Sequence, residues 1–230
     1  MSKGAQLQLT RTRDLPNPTE YVQALLGEYS RWAFDEERAP RLKGQWRGEF
    51  GVDADAPVDL EIGTGNGFHF AHLALSQPSR SLIGLELKYK PLIQSIRRVV
   101  REDGTNARIC RYNARMVKDL FEREELDDIY IHFPDPWEKK SRTKHRLIQK
   151  EFMEDLFGLQ KKGSRIYFKT DSRSYFDWAL EIFEGSSYQM EGHSFDLHHS
   201  QWAEANFVTH FEEIFLKKGK PIHYGELLRP

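Results

Sequence analysis

Val58-Asp59-Leu60-Glu61-Ile62-Gly63-Thr64-Gly65-Asn66-Gly67 is the stretch that decides the fold. Its first part is a short run of alternating apolar residues between Pro57 and Gly63, the pattern of a strand. Glycine at alternate positions then lets the backbone turn sharply and approach a ligand with no Cβ in the way. Residues 68–75 are helical in character, so the unit reads strand, loop, helix. Working outward, 81–87 predicts the next strand and 91–100 the next helix, with Pro91 near its start. Strands are expected over 107–112, 127–133 and 164–170, with a helix over 148–159 between the last two. The aromatic and aliphatic stripe of 175–184 has helical spacing and reads as core packing. Two more strands are expected within 188–197 and 207–216. Short apolar runs alternating with amphipathic stretches indicate an α/β domain with a mostly parallel sheet.

The first fifty residues differ in character and predict a polar arm, partly flexible, and a capped helix starting near Asn17 with Pro18 in its first turn. Residues 51–230 are expected to form the main domain. A chain of 230 residues with 39% hydrophobic content buries one substantial core, which favours one domain over two. No run of eighteen apolar residues occurs and the N-terminus lacks a signal-like apolar stretch, so a soluble, cytoplasmic protein is expected. The single cysteine, Cys110, excludes an internal disulfide or a thiolate metal cage and is expected to be a buried structural thiol. Neither His69 and His72 nor His198 and His199 stand in a metal-binding motif, and no metal is expected.

Net charge is near zero, 34 Lys plus Arg against 35 Asp plus Glu, so any nucleic-acid surface has to be local. Such a locality exists: Lys139, Lys140, Arg142, Lys144, Arg146 and Lys150 follow one another with no intervening acid. A run of this kind holds backbone phosphates without reading sequence.

The glycine spacing discriminates between cofactors. A dinucleotide fingerprint starting at Gly63 needs glycine where Phe68 stands, which counts against a nicotinamide cofactor. The E-x-G-x-G-x-G form, Glu61 with Gly63, Gly65 and Gly67, instead resembles motif I of class I S-adenosylmethionine-dependent methyltransferases. Glu86 closes the second predicted strand, where a carboxylate accepts from both hydroxyls of a ribose. Asn113, just after the third, is placed to hydrogen-bond an adenine edge.

After the fourth predicted strand comes Phe133-Pro134-Asp135-Pro136-Trp137-Glu138-Lys139-Lys140 and the cationic run. With the alternating glycines, Glu86, Asn113, Lys169-Thr170-Asp171 and Thr209-His210-Phe211-Glu212, this order resembles the tRNA guanine-N(7) methyltransferase family of the TrmB type, over about 51–219. The resemblance implies a Rossmann-like domain with a seven-stranded, mostly parallel sheet and an antiparallel last strand. It implies that Glu61, Glu86, Asn113 and Asp135 contact S-adenosylmethionine, that Asp135 is the catalytic residue, and that Lys139, Asp171, Thr209 and Glu212 face tRNA. Arg142, Lys144 and Arg146 join them as phosphate ligands on charge grounds. The chain departs from the family pattern at His145, within the basic string, and at Ile214, where a basic residue is common. Both departures bear on RNA contacts and not on the cofactor site.

The reaction these features imply is methyl transfer to N(7) of a guanosine in tRNA, in the variable loop. Two other readings stay open at this level: methylation of another RNA site or a small molecule, and a non-catalytic RNA-binding scaffold of the same fold. Trp137 likewise has two readings, a stacking platform for the base or a core residue. No accessory subunit is evident from the sequence.

Overall fold

A computed structural model describes residues 18–230, and the polar arm and Asn17 lie outside the described residues. The described chain forms a sheet of strands β1 Ala33–Phe34, β2 Val58–Ile62, β3 Ser81–Leu85, β4 Ala107–Cys110, β5 Ile129–His132, β6 Arg165–Thr170, β7 Gln189–Ser194 and β8 His223–Leu228. Their order is β1-β4-β3-β2-β5-β6-β8-β7. All neighbours are parallel except β8, which runs antiparallel to both β6 and β7. The helices are α1 Thr19–Leu26, α2 Trp46–Phe50, α3 Phe68–Ser76, α4 Tyr89–Arg101, α5 Lys150–Leu159, α6 Arg173–Glu184 and α7 His210–Lys217.

The expected seven strands are eight among the described residues. The addition is β1, which pairs with β4 through two residues only, Ala33 with Ile109 and Phe34 with Cys110. Two residues show no alternation, so periodicity has nothing to detect there. A second expectation fails in kind: 207–216 is not a strand, because α7 occupies it from His210 onward. Phe207, Val208, Phe211, Ile214 and Phe215 look strand-forming, yet the Thr209 hydroxyl accepts from the Glu212 amide at 3.2 Å and starts a helix. The last strand is β8 instead.

Burial explains the rest. Every residue of β2, β3 and β4 is buried, as required of parallel strands covered on both faces. In α4, Leu92, Ile93, Ile96 and Val99 make one apolar stripe that packs with α1 and α3 on one face of the sheet. Phe152, Met153 and Leu156 of α5 with Phe176, Ala179 and Phe183 of α6 fill the other face, together with the fully buried Trp46 of α2. Cys110 lies inside, and burial pushes its thiol well above the ordinary range, leaving it an inert packing group. Strand order reverses at β2, whose neighbours are β3 on one side and β5 on the other. Ligand crevices of doubly wound sheets open at the carboxyl ends of strands beside such a reversal.

Candidate active site

A cleft of about 550 Å³ opens there, lined among others by Glu61, Gly63, Gly65, Gly67, Glu86, Asn113, Asp135, Trp137 and Thr209. The sheet thus brings together residues spread over 149 positions of sequence, counted from Glu61 to Thr209.

The loop leaving β2 is glycine-dependent in two ways. Gly63, Gly65 and Gly67 all have positive φ, at 80°, 54° and 76°. At Gly67 a side chain is also excluded by space, since a Cβ would stand 2.3 Å from Ser95 Cα of α4. That close approach places the Ser95 hydroxyl 3.0 Å from both the Thr64 hydroxyl and the Gly65 carbonyl. The loop is held against α4 with its free backbone turned to the cleft.

Glu86, at the end of β3, closes the loop from the other side. Its Oε2 accepts from the Gly65 amide at 3.1 Å and its Oε1 from the Lys88 amide at 2.9 Å. Burial raises its pKa above the ordinary glutamate range, and those backbone donors offset part of the rise. Asn113 caps the turn Ala114–Asp119, its Oδ1 accepting from the Arg115 amide at 3.1 Å. Beneath the loop, Glu61 is buried and its Oε2 is 3.0 Å from His69 Nδ1. The ring of His132 meets His69 edge-on at 4.3 Å, and burial drives its pKa well below the usual histidine value. A neutral imidazole there adds no positive charge beneath the cleft.

The loop after β5 carries Asp135, exposed at the cleft. It is strained at both ends, with φ of 51° at Phe133 and 44° at Trp137, conformations that cost non-glycine residues about 1–3 kcal/mol each. Four hydrogen bonds hold it. The Phe133 amide donates to the Lys169 carbonyl of β6 at 2.8 Å. Arg146 Nε donates to the Pro136 carbonyl at 2.8 Å, and Glu138 accepts from the hydroxyls of Ser172 and Ser174. Trp137 is half-buried in the cleft wall, 5.2 Å from the His145 ring, rather than inside either core.

The cations divide. Lys139, Arg142 and Lys144 are exposed beside the cleft, whereas Arg146 is buried. Asp171 stands outside the cleft lining and accepts from Lys220 Nζ at 3.1 Å. Glu212 is 0% exposed: it takes Asn206 Nδ2 at 2.7 Å and Lys169 Nζ at 3.4 Å, and His198 Nε2 is 2.9 Å away. Thr209 lines the cleft but spends its hydroxyl on the helix cap. Sequence reasoning passed over Phe211, which is 49% exposed and lines the cleft near Gly65. Thr209-x-x-Glu212 was the available signal, since an N-cap at Thr209 places Phe211 in the first turn of α7. Among the described residues no group of three or more His, Cys, Asp or Glu is placed to hold a metal ion.

A family model described as "Putative methyltransferase" matches residues 55–224. The tRNA (guanine-N(7)-)-methyltransferase of Bdellovibrio bacteriovorus is 51% identical over 89% of this chain and 98% of its own length. The enzyme of the same name from Lachnoclostridium phytofermentans is 35% identical, covering 93% of this chain and 95% of its own. Among solved structures, an S-adenosylmethionine-dependent methyltransferase from Aquifex aeolicus superimposes with a TM-score of 0.54 at 11% identity, over 94% of this chain and all of that one, a likeness of fold.

Proposed function

Because the chain belongs to the tRNA (guanine-N(7)-)-methyltransferase family, we infer that it transfers the methyl group of S-adenosylmethionine to N(7) of a guanosine in tRNA, within the variable loop that the family resemblance implies. The observation that carries this reading is the single cleft in which the glycine loop, the buried Glu61 carboxylate, the half-buried Glu86 carboxylate and the Asp135 loop converge beside exposed cations. A scaffold that only bound RNA has no use for that convergence.

In this reading the amino-acid end of S-adenosylmethionine lies along 63–67, the ribose hydroxyls donate to Glu86, and Asn113 meets the adenine with the amide nitrogen its cap leaves over. Glu61 lies buried beneath the loop, where an acidic side chain favours the positively charged donor. N(7) carries an in-plane lone pair and no proton. It attacks the methyl carbon directly as the carbon–sulfur bond breaks, leaving S-adenosylhomocysteine and a cationic purine, so the demand on the protein is in-line positioning and not a base. Asp135 orients the guanine through its exchangeable edge protons and stabilises the growing charge. Residues 51–230 carry this chemistry. No helix of the described residues is long and apolar enough to cross a membrane; it is the tRNA substrate of this reading that places the protein in the cytoplasm.

The test is to incubate the protein with labelled S-adenosylmethionine and unmodified tRNA and identify the labelled nucleoside. 7-Methylguanosine is expected, and reduction followed by aniline should cut the product at one enzyme-dependent position in the variable loop. Label in a different nucleoside overturns the assignment, and scission elsewhere overturns the position.

Exposed Lys139, Arg142 and Lys144 are the phosphate ligands of this reading. Each alanine replacement, Arg142→Ala or Lys144→Ala, should weaken tRNA binding and lower the slope of log affinity against log salt by about 1 unit or somewhat less. Cofactor affinity should stay at the wild-type value. Wild-type binding and slope in the double variant would reduce the run to a solvated face.

A further inference from the structure

One arginine of the cationic run has turned away from solvent. Arg146 is 3% exposed, while Lys139, Lys140, Arg142 and Lys144 around it are exposed. Its Nε donates to the Pro136 carbonyl at 2.8 Å and its Nη1 to the Ser174 carbonyl at 3.3 Å. The guanidinium carbon lies 5.1 Å from the centre of the Tyr175 ring and 5.5 Å from that of Trp178. A side chain so enclosed presents no donor to a phosphate. Burying a guanidinium is also unfavourable unless fixed dipoles and π faces replace its water, and here both do.

What the guanidinium holds is the peptide one residue beyond Asp135, the one that leads into the left-handed backbone of Trp137. Such strain persists only where surroundings over-determine it. The Phe133 amide fixes the start of the loop on β6, and Arg146 fixes its far side. Arg115 extends the fastening, donating to the carbonyls of Lys144 at 3.3 Å and Arg146 at 2.8 Å from the turn that Asn113 caps. The clamp is therefore continuous with the cofactor wall.

We propose that Arg146 is a positioning residue: it holds the Pro136 carbonyl, and through it the Asp135 carboxylate, in the working orientation, and it makes no contact with RNA. This rests on the role given above to Asp135. Arg146→Gln keeps a polar side chain without the charged fork; Arg146→Lys keeps the charge and can reach one carbonyl. The inference predicts that Arg146→Gln lowers the single-turnover rate roughly ten- to a hundredfold, since small misplacements of a reacting group have effects of that order. Arg146→Lys should recover part of the rate, and it gives the reading if Arg146→Gln does not fold. Affinity for tRNA, its salt slope and the affinity for S-adenosylmethionine should match wild type in both variants, with Arg142→Ala alongside as the example of a lowered slope.

In an Asp135→Ala background the Arg146 substitutions should add no further loss. A slope lowered as in Arg142→Ala, an undiminished rate in both Arg146 variants, or a full additional loss on top of Asp135→Ala each overturns the proposal. Full activity of Asp135→Ala alone is a different failure, that of the underlying assignment of Asp135.

Discussion

Replacing Asp135 with alanine is expected to lower the rate of methyl transfer by about 10² to 10³, the usual consequence of removing one preorganised electrostatic contact from a reacting group. The loop itself should survive. Its fastenings run through the Phe133 amide, the Pro136 carbonyl and the Glu138 carboxylate, none of which involves the Asp135 side chain. Cofactor affinity should fall far less than the rate, because the glycine loop, Glu86 and Asn113 are untouched and only the Asp135 contact that the family resemblance implies is lost. Binding of tRNA should also persist, because in the proposed reading the exposed cations carry it. Asp135→Asn separates the two effects assigned to the carboxylate: it keeps a hydrogen-bond acceptor for the guanine edge and removes the charge that favours the cationic product. An intermediate rate for Asp135→Asn assigns the remainder to charge. Single-turnover kinetics with bound tRNA and saturating S-adenosylmethionine read the chemical step, and a wild-type rate in Asp135→Ala removes the residue from the mechanism.

The features legible in the sequence are those whose cause is local. The loop after β2 is visible because positive φ at Gly63, Gly65 and Gly67 demands glycine there, and the order strand, loop, helix follows from adjacent residues. Asp135 is visible because Phe133-Pro134-Asp135-Pro136-Trp137 resembles the motif of the methyltransferase family, a signal contained in five adjacent residues. What stayed hidden depends on contacts distant in sequence. Strand β1 exists only because Ala33 and Phe34 reach β4 seventy-six positions later. Arg146 reads as another member of a basic run, and nothing in that run reveals that Pro136, Tyr175 and Trp178 enclose it. Glu212 reads as a substrate-facing acid, yet Lys169 and Asn206 hold it inside the protein. Residue type fixes which chemistry is available, and the direction in which a long charged side chain points is set by tertiary packing. Segment 207–216 failed for a different reason: β-branched and aromatic content outweighed the N-cap signal of Thr209, whose hydroxyl accepts from the Glu212 amide.

Glu86→Ala should weaken S-adenosylmethionine binding by about 10² to 10³. Two hydroxyl donors to one carboxylate are charge-assisted bonds worth about 1.5–3 kcal/mol apiece, and water entering the space left by the side chain restores some of that. The variant loses a second contribution as well, because Glu86 fixes the Gly65 amide at 3.1 Å and the loop becomes less organised without it. Glu86→Gln, which keeps one acceptor oxygen, should lose less. The pH dependence separates this role from simple loop support. Burial raises the pKa of Glu86, so its carboxylate takes up a proton at higher pH than an ordinary glutamate, whose value is about 4.3. Protonation turns an acceptor into a donor facing the ribose donors, so wild-type affinity should fall as pH drops through that raised value. Glu86→Gln should lack that titration. The stability of the free protein runs the opposite way: a carboxyl with a raised folded-state pKa gives a contribution that is complete below the unfolded pKa and lost as pH rises through the folded one. Above that raised value the cofactor-free protein therefore holds an ionised, partly desolvated carboxylate at a cost to stability, and in the proposed reading ribose hydroxyls offset that cost when the cofactor binds. Calorimetric titrations of wild type and Glu86→Gln across acidic pH test this, and identical profiles for the two proteins would remove Glu86 from the ribose.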